Sequence, residues 1–416
     1  MTKPAPLGNG RKRIFGLSPN VFFLGVVSFL TDVSSEMIFT LLPLFLSNIL
    51  GTATAVIGFI EGVAESTASL VKIFSGWLSD RLGRRKGLAV IGYGLSTLTK
   101  PFMYIASTWG LVLGVRFSDR LGKGIRSAPR DALVADSVLA IERGKAFGFH
   151  RAMDTSGAAL GLVAAAIVVF LLQQNTLELV RGTYQWLVLM GLIPAVLALS
   201  AFLFVREVRK VPRLQADSRG RVGASSTSVA TEAVRTGLDM RFKIFLGVMF
   251  LFALGNSSDA FLILRAQNLG NCVLYVLIML IVFNMVYALV SMPAGIVSDR
   301  LGRKRVIVLG WFIYALTYLG FAVASASWHI WLLFVLYGVY YGLAEGVARA
   351  FVADLVPEER RGTAFGLFHG VVGIALLPAS IIAGLLWQAV SPAAPFYFGA
   401  VLAFVAMFGL LALVRE

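Results

Sequence analysis

Gly76-Trp77-Leu78-Ser79-Asp80-Arg81-Leu82-Gly83-Arg84-Arg85-Lys86 lies between two long apolar runs. It returns as Gly295-Ile296-Val297-Ser298-Asp299-Arg300-Leu301-Gly302-Arg303-Lys304-Arg305. Ser-Asp-Arg-Leu-Gly-Arg is identical in the two copies, which stand 219 positions apart. A second pair keeps the spacing: Arg143-Gly144-Lys145-Ala146-Phe147-Gly148 is answered 218 positions on by Arg361-Gly362-Thr363-Ala364-Phe365-Gly366. Self-similarity at a fixed period marks a repeated architecture, so the chain reads as one half-unit written twice.

Working outward, the 416 residues are 58% hydrophobic and 14% charged, with mean hydropathy +0.81. Soluble domains carry about 25% charged residues. Long apolar runs stand in place of the missing charge, which argues against a soluble enzyme. A spanning helix needs about 20 mainly apolar residues. Twelve such segments are predicted, at 19–48, 54–79, 87–107, 109–137, 144–173, 184–206, 242–268, 272–298, 304–325, 329–354, 362–388 and 393–414. The first apolar run, from 21 to 50, exceeds the removable h-region of about 7–15 residues. The chain then divides into a half at 1–206, a polar linker at 207–241 rich in Ser, Arg and Lys, and a second half at 242–416.

The net charge of +15 is topological. Lys and Arg gather in the loops at 80–86, 138–145, 207–241, 299–305 and 357–361, while the alternate loops hold only Arg181. By the positive-inside rule both termini are cytoplasmic. Trp109, Trp186, Trp328, Trp331 and Trp387 fall near the opposite helix ends, as an interfacial belt would. Basic residues in short loops do not form a nucleic-acid-binding face. The single cysteine, Cys272, excludes an intrachain disulfide. His150, His329 and His369 are scattered, so no metal site and no cofactor is expected.

Ionisable groups inside a membrane are costly and mark function. Segment 1 has Asp32 and Glu36, four apart on one face. Segment 4 has Arg116, Asp119, Arg120, Lys123 and Arg126, with Arg116, Arg120 and Lys123 on one face. Segment 7 has Asp259 and Arg265, and segment 10 has Glu345 and Arg349. At 1.5 Å per residue, Asp32, Arg120 and Glu345 lie roughly 15–25 Å from their helix starts, near mid-membrane. An acidic face on segment 1 and a basic face on segment 4 are expected to share one water-filled cavity, the substrate and proton site. The alternative is permanent ion pairs between helices. Glu61, Glu65 and Lys72 can share a face of segment 2, with Glu65 either a proton site or the partner of Lys72. Segment 5 opens with His150 and Asp154, either of which could titrate. Arg126 and Arg130 are expected to pair with Asp131 and Asp136. Gly157 and Gly161 have the small-residue spacing of close helix packing.

The pattern Gly-x-x-x-Asp-Arg-x-Gly-Arg-Arg/Lys, once per half, resembles the signature loop of major facilitator superfamily transporters. The resemblance covers essentially the whole chain. It implies an all-α membrane protein of twelve helices in two six-helix bundles, related as parallel repeats about an axis along the membrane normal. It implies a central cavity lined by segments 1, 4, 7 and 10, where the charges above also gather. It implies a charge network closing the cytoplasmic side, carried here to Gly76, Asp80, Arg81, Arg84 and Asp136 and to Gly295, Asp299, Arg300, Arg303 and Asp354. Gly76 and Gly295 would permit close helix approach. Arg120-x-x-x-Gly124 resembles the segment-4 pattern of proton-driven exporters, although Arg126 replaces that family's second glycine. The Gly-Pro that ends segment 5 in drug exporters is absent.

The chain is thus expected to be a monomeric secondary transporter in a bacterial inner membrane. It would move a small organic solute by alternating access, as efflux coupled to protons, with sodium as the alternative ion. A basic segment 4 also suits an organic anion, such as a carboxylate, phosphate or siderophore-like compound, carried in either direction. No nucleophile–base or phosphate-binding motif speaks for an enzyme. A non-transporting membrane sensor on the same fold is the reading from another class.

Overall fold

The computed structural model describes residue 14 and residues 16–82, 85–138, 142–174, 176–207, 239–357 and 361–414. At 80, 82, 143, 144 and 361–363 it describes the backbone alone. Most of the expected linker, 208–238, and Arg84 lie outside the described residues.

The described helices follow the twelve predicted segments. They are α1 (Pro19–Phe39), α2 (Thr54–Leu82), α3 (Arg85–Thr99), α4 (Trp109–Asp136), α5 (Arg143–Leu172) and α6 (Arg181–Ala201). After the linker come α7 (Met240–Gly255), α8 (Ala260–Asn268), α9 (Val273–Leu301), α10 (Arg303–Val323), α11 (Ser327–Asp354), α12 (Arg361–Ala389) and α13 (Ala394–Leu413). By length and composition, ten segments among the described residues can cross a membrane. The other two are the third, whose regular helix is short, and the fourth, which is heavily charged.

Among the described residues, three segments interrupt their α-helix, each for a local reason. Pro43 lacks an N–H, and its ring clashes with the carbonyl four residues back. Hence α1 stops at Phe39, and the segment resumes through Leu42–Leu44 and a π turn at Phe45–Ile49. Pro101 ends α3 at Thr99, and Lys100–Met103 tightens into a 3-10 turn. Segment 7, expected as one helix, is two, separated by Asn256-Ser257-Ser258-Asp259. Short polar side chains compete with helical hydrogen bonding. At membrane depth, such a break is tolerated where its backbone finds partners inside the protein. Tyr314 Oη donates to the Gly255 carbonyl at 3.1 Å and lies 3.3 Å from Asn256 Oδ1, and the Ser258 N–H donates to Ser380 Oγ at 3.3 Å.

Two compact units result, Met1–Val208 with Asp259–Ile281, and Arg209–Ser258 with Val282–Glu416. In the first, α1 packs on α5 and α6, and α4 packs on α2 and α3. The α1–α5 contact is backbone-close: a Cβ at Gly157 would stand 2.4 Å from the Phe29 carbonyl oxygen, and one at Gly161 would stand 2.7 Å from that of Val33. The expected small-residue packing is therefore realised. This unit also takes in α8, whose Gln267 Nε2 donates to the Leu177 carbonyl at 2.7 Å.

In the second unit α10 packs on α11 and α13, and α7 on α12 and α13. Individual contacts repeat along with the helices. Gly124 lies against Val71 in the first unit, and Gly342 against Val290 in the second. Those residues are 218 and 219 positions apart. The duplication seen in the sequence is thus a duplication of packing.

Candidate functional site

In the first unit the basic face of α4 meets α2. Arg116 Nη2 lies 2.9 Å from Glu61 Oε2, and Arg120 Nη2 lies 3.0 Å from Glu65 Oε1. Both helices offer their partners four residues apart, so the pairs form two rungs of one ladder. The rungs differ in access. The Arg116 and Glu61 side chains are 6% and 5% exposed, whereas those of Arg120 and Glu65 are 14% and 36% exposed. The closed rung keeps unspent polar atoms: Arg116 Nε and Nη1 and Glu61 Oε1 are buried without a hydrogen bond. The Phe39 ring covers the Arg116 guanidinium at 4.9 Å. Glu65 therefore takes Arg120. Lys123, one turn further along α4, is exposed.

The acids of α1 meet other neighbours. Glu36 Oε2 accepts from Thr40 Oγ1 at 2.5 Å. Asp32 is hydrogen bonded to Asp154 of α5, within the field of Lys123 and Arg126. Asp154 also accepts from Ser28, and its Oδ1 lies 4.0 Å from Arg130 Nη1. Arg130 pairs with Asp131 at 2.9 Å, as expected. Arg126 does not pair with Asp136. It stacks over the Tyr93 ring at 4.4 Å. His150 is buried with Nε2 unpartnered.

Asp259 stands exposed in the segment-7 break, and Arg265 Nη1 donates to Asn268 Oδ1 at 2.8 Å. In the second unit Glu345 is held by Arg349 of its own helix, and it accepts from Tyr287 Oη at 2.5 Å.

At the loop end, each unit joins the helix after the repeated motif to the end of a later helix. Arg85 pairs with Asp136, and Arg303 with Asp354. Both members of the second pair stand 218 positions after those of the first. Arg303 also holds Asp299 at 3.2 Å. Arg81 lies over Trp77 at 5.4 Å, and Arg300 is exposed. The close approach expected at the two glycines is not made. A Cβ at Gly76 would meet Ala128 at an ordinary 3.5 Å, and one at Gly295 would meet nothing within 4 Å. The Asp80 side chain lies outside the described atoms.

Three loop-end features escaped the sequence reading. Glu207 accepts from the N–H groups of Arg85 and Lys86 at 3.0 and 2.9 Å, placing a carboxylate at the positive end of α3. Asn20 bridges Arg206 and Ser137. Lys304 donates to the Leu411 and Val414 carbonyls, at 3.0 and 2.6 Å. Deeper in, Lys100, a lone lysine beside a proline in an apolar segment, is also buried. That placement is the signal that marks it in the sequence.

The sequence profile of the Major Facilitator Superfamily matches residues 24–270 and 244–416. This chain belongs to the major facilitator superfamily. An uncharacterized MFS-type transporter of Methanocaldococcus jannaschii is 35% identical over 395 residues, spanning 94% of this chain and 93% of its own. The nucleoside transporter NupG superposes with a TM-score of 0.75 at 15% identity, over 95% of this chain and 99% of its own. The inward-open xylose transporter XylE of E. coli superposes with a TM-score of 0.72 at 16% identity, over 95% and 96%. The two structures share the fold. As a member of the superfamily, the chain is a multi-pass integral membrane transporter.

Proposed function

We propose that this superfamily member is a proton-coupled secondary transporter that exports a small organic solute by alternating access, with α4 carrying the coupling site. The observation behind this reading is the two-rung ladder, whose Glu65–Arg120 rung is partly exposed while the Glu61–Arg116 rung is buried. A carboxylate that can exchange an arginine for a proton needs such access. Asp32 and Asp154, with Lys123 and Arg126, extend the same charged surface. The loop-end pairs Arg85–Asp136 and Arg303–Asp354 act as latches that hold the helices of each half together as the two halves rock. The basic loops support a cytoplasmic location for both termini, in a bacterial inner membrane, and the protein works as a monomer.

A second reading rests on exposed Lys123 beside Arg120: together they suit an organic anion, carried in either direction. A thermal-shift screen of the purified protein against lipophilic cations and small organic anions separates the two. A ligand at 100 times its Kd adds about 2.7 kcal/mol. Stabilisation by cations, lost in Asp32→Asn, supports export of cationic compounds. Stabilisation by anions, lost in Arg120→Ala, supports the anion carrier. A wild-type protein that moves no solute in liposomes would be a sensor and would refute both.

A further inference from the structure

Lys100 is only 1% exposed and takes part in neither the ladder nor the latches. Its Nζ donates to Ser34 Oγ at 2.7 Å and Ser35 Oγ at 3.1 Å, tying the end of α3 to the middle of α1. The charged groups around it come from the helices packed on it: Asp32 and Glu36 on α1, and Asp119 and Arg126 on α4. On its own helix, Ser96, one turn back, is hydrogen bonded to Asp119. The helix α6 packs on the Lys100–Met103 turn. Its Arg181 donates to the Ala106 carbonyl and its Tyr184 to that of Ile38, both at 3.0 Å.

The duplication shows what the fold needs at this place. Moving 218 positions on, Ser96, Lys100 and Asp119 become Tyr314, Tyr318 and Tyr337. Those rings also cluster: Tyr314 stacks on Tyr318 at 4.1 Å, and Tyr337 lies 6.4 and 6.3 Å from them. One arrangement of helices thus accepts either three rings or a lysine, a serine and an aspartate. The packing does not demand an ion. An ammonium has three donors and no acceptor, and two neutral hydroxyls replace only part of the hydration it gives up. A buried lysine changes its charge readily, unlike an arginine.

We propose that Lys100 is a second proton-carrying group of this transporter, besides the α4 ladder, tying α1 to α3 when protonated and releasing them when neutral. On release an N–H bond breaks, the electron pair stays on Nζ and the proton passes to water; uptake reverses this. The proposal rests on the proton-coupled reading above, and it adds a proton site at the end of α3, beside the α4 ladder.

The test is the carbon spectrum of protein labelled at the ε-carbons of its ten lysines. The signal missing from Lys100→Met is expected to move from its charged to its neutral position across the physiological pH range, while the other lysines stay charged. Should Lys100→Met fail to fold, Lys100→Arg identifies the signal. Spin labels on α1 and α3 are expected to separate over the same range in the wild type and to stay at the charged-state distance in Lys100→Arg. A Lys100 signal that keeps its charged position throughout overturns the proposal, as does a distance that ignores pH. Solute transport without proton movement would instead overturn the coupling reading, and the spectrum would still report on Lys100.

Discussion

The two rungs between α2 and α4 look alike in sequence but differ in what breaking them does. Removing one partner of a buried ion pair strands a charge and costs about 3–5 kcal/mol, whereas a well-packed apolar replacement of both is often neutral. Arg116→Ala should therefore destabilise the protein by about that amount in a thermal melt, and Arg116→Met combined with Glu61→Met should recover most of it. Glu65→Gln should cost about 1 kcal/mol or less, because exposed pairs contribute little, yet it should abolish coupling. A large loss of stability on Glu65→Gln would make that rung structural. Spacing correctly put Arg116 and Arg120 on one face. It did not say which acid each would meet, because both α1 and α2 present acids four apart and only the packing chooses α2. Lys100 was harder to read because its partners are two serines, residues common in any helix.

Single helices were legible wherever apolar length and proline decided them. The twelve segments and the small-residue spacing on α5 follow from local pattern. Gly157→Leu should lower stability by at least about 1–3 kcal/mol, the usual cost of overpacking, because the added atoms meet the α1 backbone. Gly148→Ala, with nothing within 4 Å of its Cβ, is the control and should be near neutral. A Gly157→Leu melt equal to wild type would contradict the close α1–α5 contact. The break between α7 and α8 was not legible. Asn256-Ser257-Ser258 sits inside an apolar window, and the groups that satisfy the opened backbone, Tyr314 and Ser380, arrive from 59 and 122 residues away.

Across the whole molecule, the repeat read from eleven residues proved to be a repeat of helix pairs, glycine contacts and loop-end ion pairs. What the repeat does not preserve is the charge at membrane depth. Arg116, Asp119, Arg120 and Lys123 of the first half correspond to Phe334, Tyr337, Gly338 and Tyr341 of the second. Charge is concentrated at these positions in one half and aromatic side chains in the other, on the same scaffold. The duplicated motif gave no hint of this asymmetry, because it lies at the loop end and the divergence lies at membrane depth. The central claim is that solute movement is linked to protons through the open rung of α4. The most direct measurement is internal pH in proteoliposomes holding a trapped pH indicator, after addition of a ligand found by the screen. The account predicts a solute-dependent pH change in wild type that is lost in Glu65→Gln and in Arg120→Ala. Solute uptake with no pH change, or a change undiminished in both variants, would contradict it.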